Sequence, residues 1–288
     1  METNEKLERL KEILTGYGRV AIAFSGGVDS TFLLNFAVKT LGVKNVLALT
    51  ADAFYCIPRE LDAAADFSEE LGVEHYFIQA DMYSEVWYDY SCLDEVFKEN
   101  PEDRCFYCKI AIFSKLLKAA LSRPGFVLCD GTNFDDLSAY RPGLEALTEL
   151  GVRSPLAQAG LTKAEIREEG RKAGLKNWDA PACACLASRI PYGEPVTEAK
   201  TEQVLSVEEA LQDLGLRSVR ARHHGDIVRI ELGDAEMKRF LSEPVLAKKL
   251  SEAGHEAGFK FVTVDLDGYR TGAFDEPDEP NNPDDSNE

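Results

Sequence analysis

The sequence has no long hydrophobic run. None of its apolar stretches approaches the roughly 20 residues that a membrane-spanning helix requires. Its first residues, METNEKLERLKEIL, are typical of a charged amphipathic helix and not of a signal peptide. We therefore expect a cytoplasmic protein without a membrane partner.

Basic residues are also scarce. The chain holds 32 Lys and Arg against 51 Asp and Glu, which gives a net charge of −19. Seven of the acids and no base lie in the Pro- and Asn-rich tail 275–288, which we predict to be disordered, and the remainder of the chain still carries −12. Nucleic-acid binding needs a basic surface, so we expect a small-molecule partner and no nucleic acid.

The order of predicted elements indicates an α/β protein with two domains. Short apolar strands alternate with helices as far as residue 173, which is typical of a parallel sheet covered on both faces. Residues 180–197 are rich in Pro, Gly, Cys and Ala and too irregular for a helix. An αββαβ order follows. We predict a nucleotide-binding domain at 1–180, a cysteine-containing active-site segment at 181–193 and a small α+β domain at 194–274.

The sequence Ser25-Gly26-Gly27-Val28-Asp29-Ser30 separates the first predicted strand from a predicted helix that starts at Thr31. Glycines let the backbone wrap round an anion, and the following helix presents N–H groups to it. The two serines offer hydroxyl donors, and Asp29 is expected to cap the helix and to hold Mg²⁺. The loop lacks the Gly-Lys-Ser/Thr of a Walker sequence. The pattern predicts a phosphate-binding loop of another kind.

The loop resembles the signature of the pyrophosphatase-loop (PP-loop) ATPases, and several other segments resemble the LarE family within them. These segments are DGTNFDD at 130–136 with YRPG at 140–143, CLASRIPYG at 185–193, RARHHG at 220–225 and GFKFV at 258–262. The resemblance runs from about residue 5 to about residue 273 and implies a Rossmann-like PP-loop domain. It identifies the chain as a member of a family of ATP-dependent sulfur transferases.

By this resemblance the substrate is pyridinium-3,5-biscarboxylic acid mononucleotide. One carboxylate is adenylated with release of pyrophosphate, and sulfur replaces AMP to give a thiocarboxylate of the nickel-pincer cofactor used by lactate racemase. The resemblance also implies a downstream nickel-inserting enzyme as functional partner, and we expect a homo-oligomer. A tRNA thiolase or an amide-forming PP-loop ligase is the alternative function. The first needs a basic surface and the second has no use for the cysteines described next.

Four cysteines form two close pairs. Cys105 and Cys108 are separated by two residues at a predicted helix start, and Cys183 and Cys185 follow about 75 residues later. Two thiolates at such spacing reach one metal ion or cluster. The helix N-terminus and the neighbouring Arg104 and Lys109 are expected to lower the thiol pKa values.

Three interpretations of these cysteines remain open. In the first, Cys105, Cys108 and Cys185 hold a 4Fe–4S cluster whose fourth iron is open to sulfide, a pattern that some members of the resembled family carry. In the second, Cys185 gives up its own sulfur and becomes dehydroalanine, which is the family's other mode. In the third, four cysteines hold a structural zinc ion. Cys183 is a fourth ligand, a sulfur relay or a bystander.

The remaining candidate residues are polar side chains near predicted strand ends. Arg189, Arg220 and Arg222 are predicted to bind substrate phosphate and carboxylate, because guanidinium forms paired hydrogen bonds with both groups. Arg189 is also predicted to be a catalytic residue. Ser188 is expected to orient the adenylate, and Glu231 to join Asp29 at Mg²⁺.

Two further candidates follow the fourth predicted strand. Asp130 and Asn133 lie at its carboxyl end, the edge at which open α/β sheets bind ligands, so both are predicted to contact ATP. Cys56, Cys92 and Cys129 are interpreted as ordinary packed thiols.

Overall fold

The computed structural model describes residues 2–80, 93–138, 142–181 and 184–269. The chain divides into two compact units, Met1–Leu186 and Ala187–Glu288. The predictions for Cys92, for Cys183 and for the acidic tail 275–288 lie outside the described residues.

The first unit contains a four-stranded sheet in which every pairing is parallel. Its strands stand in the order β3-β2-β1-β4. They are β1 Arg19–Ala23, β2 Val46–Asp52, β3 Glu74–Gln79 and β4 Phe126–Cys129. The helices of this unit are α1 Thr3–Tyr17, α2 Val28–Leu41, α3 Pro58–Leu71, α4 Leu93–Glu99, α5 Arg104–Leu121, α6 Pro142–Glu149, α7 Pro155–Ala159 and α8 Lys163–Lys172.

The side chains of successive residues in the central strand β1 point to opposite faces of the sheet, as the strand period of two requires. Val20 and Ile22 belong to the apolar core that α1, α2, α7 and α8 cover. Ala21 belongs to the core on the other side, together with residues of α5 and α6. The buried sheet therefore leaves the carboxyl ends of its strands as the place for polar chemistry.

The second unit is a small mixed sheet with helices. Its elements are α9 Glu198–Asp213, β5 Val219–His224, β6 Ile227–Leu232, α10 Asp234–Ser242, α11 Pro244–Glu256 and β7 Phe261–Val264. Strands β5 and β6 form an antiparallel hairpin, and β7 pairs with β6 in parallel. Helix α9 packs on β5, and α11 packs on α9 and β7.

The predicted α/β class is confirmed, and two helix starts differ in a way that affects the site. Helix α2 begins at Val28, inside the glycine-rich motif, and α5 begins at Arg104, so both cysteines of the first pair are helical. Helices α4, α6 and α7 were not predicted. Among the helices that the structure describes, none is both long and apolar enough to cross a membrane.

Candidate functional site

The glycine-rich loop turns tightly between the end of β1 and the start of α2. Gly26 has a φ of +73°, and a Cβ there would lie 3.0 Å from Glu60 O on α3. A side chain at this position would therefore meet both backbone strain and a steric conflict. Gly27 is the N-cap residue of α2, so the loop leads directly into the helix's N–H groups.

The two predicted serines lie on the same side of this loop. Ser25 is exposed and Ser30 is buried, and their Oγ atoms are 3.2 Å apart. Ser30 Oγ also donates to Gly27 O at 3.1 Å. These contacts hold the two hydroxyls in the loop that the sequence predicts to bind phosphate groups.

Asp29 lies in the first turn of α2 and carries the loop's negative charge. It is not the N-cap, which corrects the capping prediction. Its Oδ2 accepts a hydrogen bond from Lys163 Nζ at 2.6 Å, and its Oδ1 is buried without a hydrogen-bond partner in the described part of the chain. Burial raises the pKa of this carboxyl, and the Lys163 ammonium opposes that shift. A buried oxygen that lacks a partner suits a cation such as Mg²⁺.

Two basic residues of α8, which sequence reasoning missed, face Asp29. Lys163 forms the ion pair, and the charge of Arg167 also acts on the Asp29 carboxyl. They are four residues apart and so share one helix face. Asp135 fixes the start of α8, because its Oδ2 accepts from Lys163 N at 2.8 Å. In the sequence, this basic face is indicated only by the four-residue spacing between Lys163 and Arg167.

The loop after β4 packs against the start of α2, as its predicted ligand-facing role requires. A Cβ at Gly131 would lie 3.0 Å from Ser30 N. The flanking side chains form hydrogen bonds with the loop itself and with Ser154, the residue before α7. Asp130 accepts from Thr132 Oγ1 and from Ser154 Oγ, and Asn133 Oδ1 accepts from Asp135 N at 2.9 Å. These contacts favour a role in shaping the loop, and ATP contact by Asp130 and Asn133 stays a prediction.

Cys56, Cys108 and Cys185 lie near Tyr55, whose pKa is raised first by burial and then by the charges of these three thiols. Cys105 and Cys108 occupy the first turn of α5 and, three residues apart, share a face. Leu186 N donates to Tyr55 O at 2.9 Å, which brings the Cys185 segment beside the Tyr55–Cys56 segment. Cys105 and Cys185 are exposed, and Cys108 is half-buried.

The acidity of these thiols differs from the sequence expectation. Burial raises the pKa of Cys108, the charges of Cys185 and Cys105 raise it further, and the Arg104 guanidinium only opposes the change. Burial also raises the pKa of Cys56 to about 11, and Cys185 contributes to that shift. Cys56, interpreted as a packed thiol, is thus an electrostatic neighbour of Cys185, and lowered pKa values are the wrong prediction for Cys108.

A single metal ion and an iron–sulfur cluster require different spacings of the thiols that hold them. Within the described part of the chain, no three His, Cys, Asp or Glu side chains stand close enough to hold one metal ion. Each thiolate of a 4Fe–4S cluster binds a different iron atom, so cluster ligands stand farther apart than the ligands of a single ion. The exposed thiols of Cys105 and Cys185 and their electrostatic contact with Cys108 therefore fit the donor chemistry of a cluster.

Arg189, in the second unit, is fully buried. Its Nε and Nη2 each donate to the Glu208 carboxylate at 2.9 Å, and its Nη1 donates to Ser188 Oγ at 3.0 Å. Glu208 Oε1 also accepts from Ala221 N at 3.0 Å. This geometry favours a structural role for Arg189, which fixes the positions of Ser188 and β5. It does not favour the predicted contact with substrate.

We expect Arg189→Ala to lower the free energy of unfolding by about 3–5 kcal/mol, because it leaves a buried carboxylate without its partner. Urea unfolding followed by circular dichroism measures this loss. The control is Arg239→Ala, which breaks an exposed pair with Glu243 in the same unit and should cost less than about 1 kcal/mol. Equal losses in the two variants would contradict a structural role for Arg189.

Arg222 and Glu231 form a second buried ion pair across the β5–β6 hairpin. Arg222 Nε and Nη2 donate to the two Glu231 oxygens at 2.9 and 3.0 Å, and Arg229 Nη2 adds a contact at 3.1 Å. Arg222 Nη1 also donates to Ser188 O at 2.8 Å. Glu231 is therefore a buried partner of arginines rather than an isolated strand-end acid. The pairing does not favour its predicted magnesium role, which stays a prediction.

Arg220 lies on the same face of β5 as Arg222, two residues away. Its guanidinium carbon lies 5.0 Å from the centre of the Tyr269 ring, and its Nη1 donates to Val219 O at 2.8 Å. Binding of a substrate phosphate or carboxylate by Arg220 stays a prediction.

Comparison with known proteins identifies one matching family model and several similar sequences. A family model described as NAD synthase matches residues 4–106. The chain is 36% identical to the pyridinium-3,5-bisthiocarboxylic acid mononucleotide synthase of Lactiplantibacillus plantarum over 90% of this chain and 89% of that protein. It is 38% identical to an uncharacterized protein of Synechocystis over 93% of this chain and 96% of that protein. An NH3-dependent NAD+ synthetase of Chlorobaculum tepidum is 38% identical over 21% of this chain and 22% of that protein.

Proposed function

Because the chain belongs to the family of the pyridinium-3,5-bisthiocarboxylic acid mononucleotide synthases, we propose that it is the ATP-dependent sulfur transferase for that nucleotide. It adenylates a carboxylate of pyridinium-3,5-biscarboxylic acid mononucleotide and replaces AMP with sulfur. The observation that carries the proposal is the PP-loop with the buried, unpartnered Asp29 Oδ1, in a chain that also brings Cys185 near Cys108.

The first half-reaction uses the loop between β1 and α2. The substrate carboxylate attacks the α-phosphorus of ATP, and the bond to the β-phosphate oxygen breaks. The N–H groups at the start of α2 and the hydroxyls of Ser25 and Ser30 bind the phosphate groups. Asp29 would hold a Mg²⁺ ion, which supplies charge for the departing pyrophosphate. Lys163 and Arg167 add positive charge beside it.

This assignment predicts that ATP is cleaved between its α and β phosphates. Anaerobic incubation of the protein with ATP, Mg²⁺, the pyridinium substrate and sulfide is expected to yield AMP and pyrophosphate in equal amounts, measured by ion-exchange chromatography. Omission of the substrate is the control, because the carboxylate is the attacking group. Formation of ADP and phosphate would contradict the proposal.

The second unit supplies the charges that suit an anionic nucleotide. Arg220 is proposed to bind substrate phosphate or carboxylate, while Arg222 donates to the main-chain oxygen of Ser188 and Arg189 to its hydroxyl. The acidity of the whole chain also supports a small-molecule acceptor over RNA.

The second half-reaction is assigned to the cysteines of the first unit. Cys105, Cys108 and Cys185 would hold a 4Fe–4S cluster, which supplies an iron atom open to inorganic sulfide. Sulfur then attacks the adenylated carboxyl carbon, and AMP leaves with the bonding electron pair. The alternative is that Cys185 Sγ itself attacks the adenylated carbon and AMP leaves. Removal of the Cys185 Cα proton then breaks the Cβ–Sγ bond, which leaves a thiocarboxylate on the substrate and dehydroalanine in the chain.

One partner and two properties of the chain remain proposals. They are a homo-oligomeric state, a cytoplasmic location and a downstream nickel-inserting enzyme that receives the product. The zinc interpretation involves Cys183, outside the described residues, and also remains open.

A further inference from the structure

Asn177 contacts the phosphate-binding loop from a segment that the mechanism above does not use. Its Nδ2 donates to Gly26 O at 2.9 Å and to Thr31 Oγ1 at 3.0 Å. Thr31 Oγ1 in turn donates to Gly26 O at 3.2 Å. The carbonyl of the loop's first glycine therefore accepts two hydrogen bonds within a closed triangle of polar groups.

The position of Asn177 is itself fixed by the fold. The segment after α8 turns back so that Ala180 N donates to Asn177 O at 3.0 Å. Arg167 Nη2, from α8, donates to Ala180 O at 2.8 Å. Asn177 is half-buried and Thr31 is fully buried, so both side chains lie in a packed setting.

The orientation of the Gly26–Gly27 peptide decides whether the loop attracts or repels an anion. In a trans peptide the carbonyl and the following N–H point in opposite directions. With Gly26 O directed at Asn177, Gly27 N–H points the other way and donates to Ser25 Oγ at an N–O distance of 3.4 Å. Ser25 is exposed, so this N–H lies on the open side of the loop, as phosphate binding requires.

Two adjacent glycines leave this peptide little steric resistance to rotation. A rotated peptide would present its carbonyl oxygen to the phosphate groups in place of an N–H. We propose that Asn177 is a positioning residue that holds the Gly26–Gly27 peptide in the orientation that binds ATP. The inference deepens the proposed adenylation function and rests on it.

The test compares Asn177→Ala and Asn177→Asp with the matched variants Asn45→Ala and Asn45→Asp. Asn45 is also half-buried, and its Nδ2 donates to a backbone carbonyl, Leu41 O, at 2.9 Å at the far end of α2. The dissociation constant of Mg-ATP is measured by titration calorimetry without the pyridinium substrate, and Tm is measured for every variant.

We expect Asn177→Ala to raise the ATP dissociation constant about tenfold, as the loss of one net hydrogen bond implies. Asn177→Asp should raise it more, because a carboxylate oxygen would face Gly26 O. The Asn45 variants should lower Tm by a similar amount and leave ATP affinity within about twofold of the wild type. If Asn177→Asp does not fold, Asn177→Ala alone decides.

A double-mutant cycle with Thr31→Val supplies an independent readout. Since both side chains act on the same carbonyl, the two losses in ATP affinity should be non-additive. ATP binding by Asn177→Ala within twofold of the wild type, or equal losses in the Asn45 variants, would overturn the inference. Failure of the wild type to bind ATP or to form AMP would instead refute the adenylation function.

Discussion

Replacing Cys185 with alanine is expected to abolish sulfur transfer while pyrophosphate release from ATP continues. Cys185 is exposed, and the Leu186–Tyr55 hydrogen bond holds its segment beside the other thiols. The loop and the Asp29–Lys163 pair involve no cysteine. Formation of the thiocarboxylate should therefore fall by roughly 100-fold or more, as for loss of a reacting group, with adenylation little changed.

The measurement separates the two half-reactions in one sample. Pyrophosphate is followed with a coupled assay, and the thiocarboxylate by chromatography under anaerobic conditions with sulfide. Cys105→Ala and Cys108→Ala should lose both the cluster, measured by iron and sulfide analysis, and sulfur transfer. Cys183→Ala should keep both. Loss of pyrophosphate release in Cys185→Ala would show that this cysteine serves adenylation, contrary to the proposal.

The fate of Cys185 in the wild type distinguishes the cluster route from the sacrificial route. Cys105 and Cys108 share one face of α5 near Cys185, and the sacrificial route has no use for them. We therefore expect an intact Cys185 in the mass spectrum after several turnovers with sulfide. Conversion to dehydroalanine, one per chain and in step with product, would establish the sacrificial route.

Local patterns in the sequence were sufficient to predict the glycine-rich loop and most of the strands of the sheet. The strand β1 and the six-residue motif are contiguous, so the chain alone fixes their order and their place at a strand end. Helix α2 nevertheless begins at Val28 and not at Thr31. The reason is that Gly27 adopts the extended N-cap conformation, which the residue types at this junction do not dictate.

Contacts between distant residues could not be predicted in the same way. Lys163 and Asp29 are 134 residues apart in the sequence, and no periodic pattern links them. Asn177 reaches Gly26 from 151 residues away. Such contacts depend on how α8 and the segment after it pack beside α2, which is a property of the tertiary fold.

Burial was the other quantity that the sequence did not supply. Guanidinium groups suggested substrate contacts, but Arg189 and Arg222 are buried and paired with Glu208 and Glu231. Cys108 has basic neighbours in the sequence, yet its burial raises the thiol pKa. In each case the residue type indicates which interactions a side chain can form. Its burial and its neighbours in the fold determine which of them it does form.

Replacing Asp29 with asparagine is expected to lower the rate of adenylation by about 100-fold or more, in the range seen when a preorganised electrostatic group is lost. Asparagine keeps the size of the side chain and removes the charge that would hold Mg²⁺. The initial rate of pyrophosphate release is measured over a range of Mg²⁺ concentrations. Asp226→Asn is the control, since Asp226 also pairs with a lysine, Lys260, but on an exposed surface of the second unit.

A structural role for Asp29 would give a different result, and a second variant separates the two. Lys163→Met alone is the reference, because Lys163 itself adds positive charge beside the pyrophosphate. If Asp29 served only to neutralise Lys163, adding Asp29→Asn to Lys163→Met would cause no further loss of activity. If Asp29 holds the cation, the double variant should be far less active than Lys163→Met. The buried Oδ1 favours the second outcome, because Lys163 engages Oδ2 and leaves Oδ1 for another positive partner. Equal activity of the double variant and Lys163→Met would therefore refute a metal-binding role for Asp29.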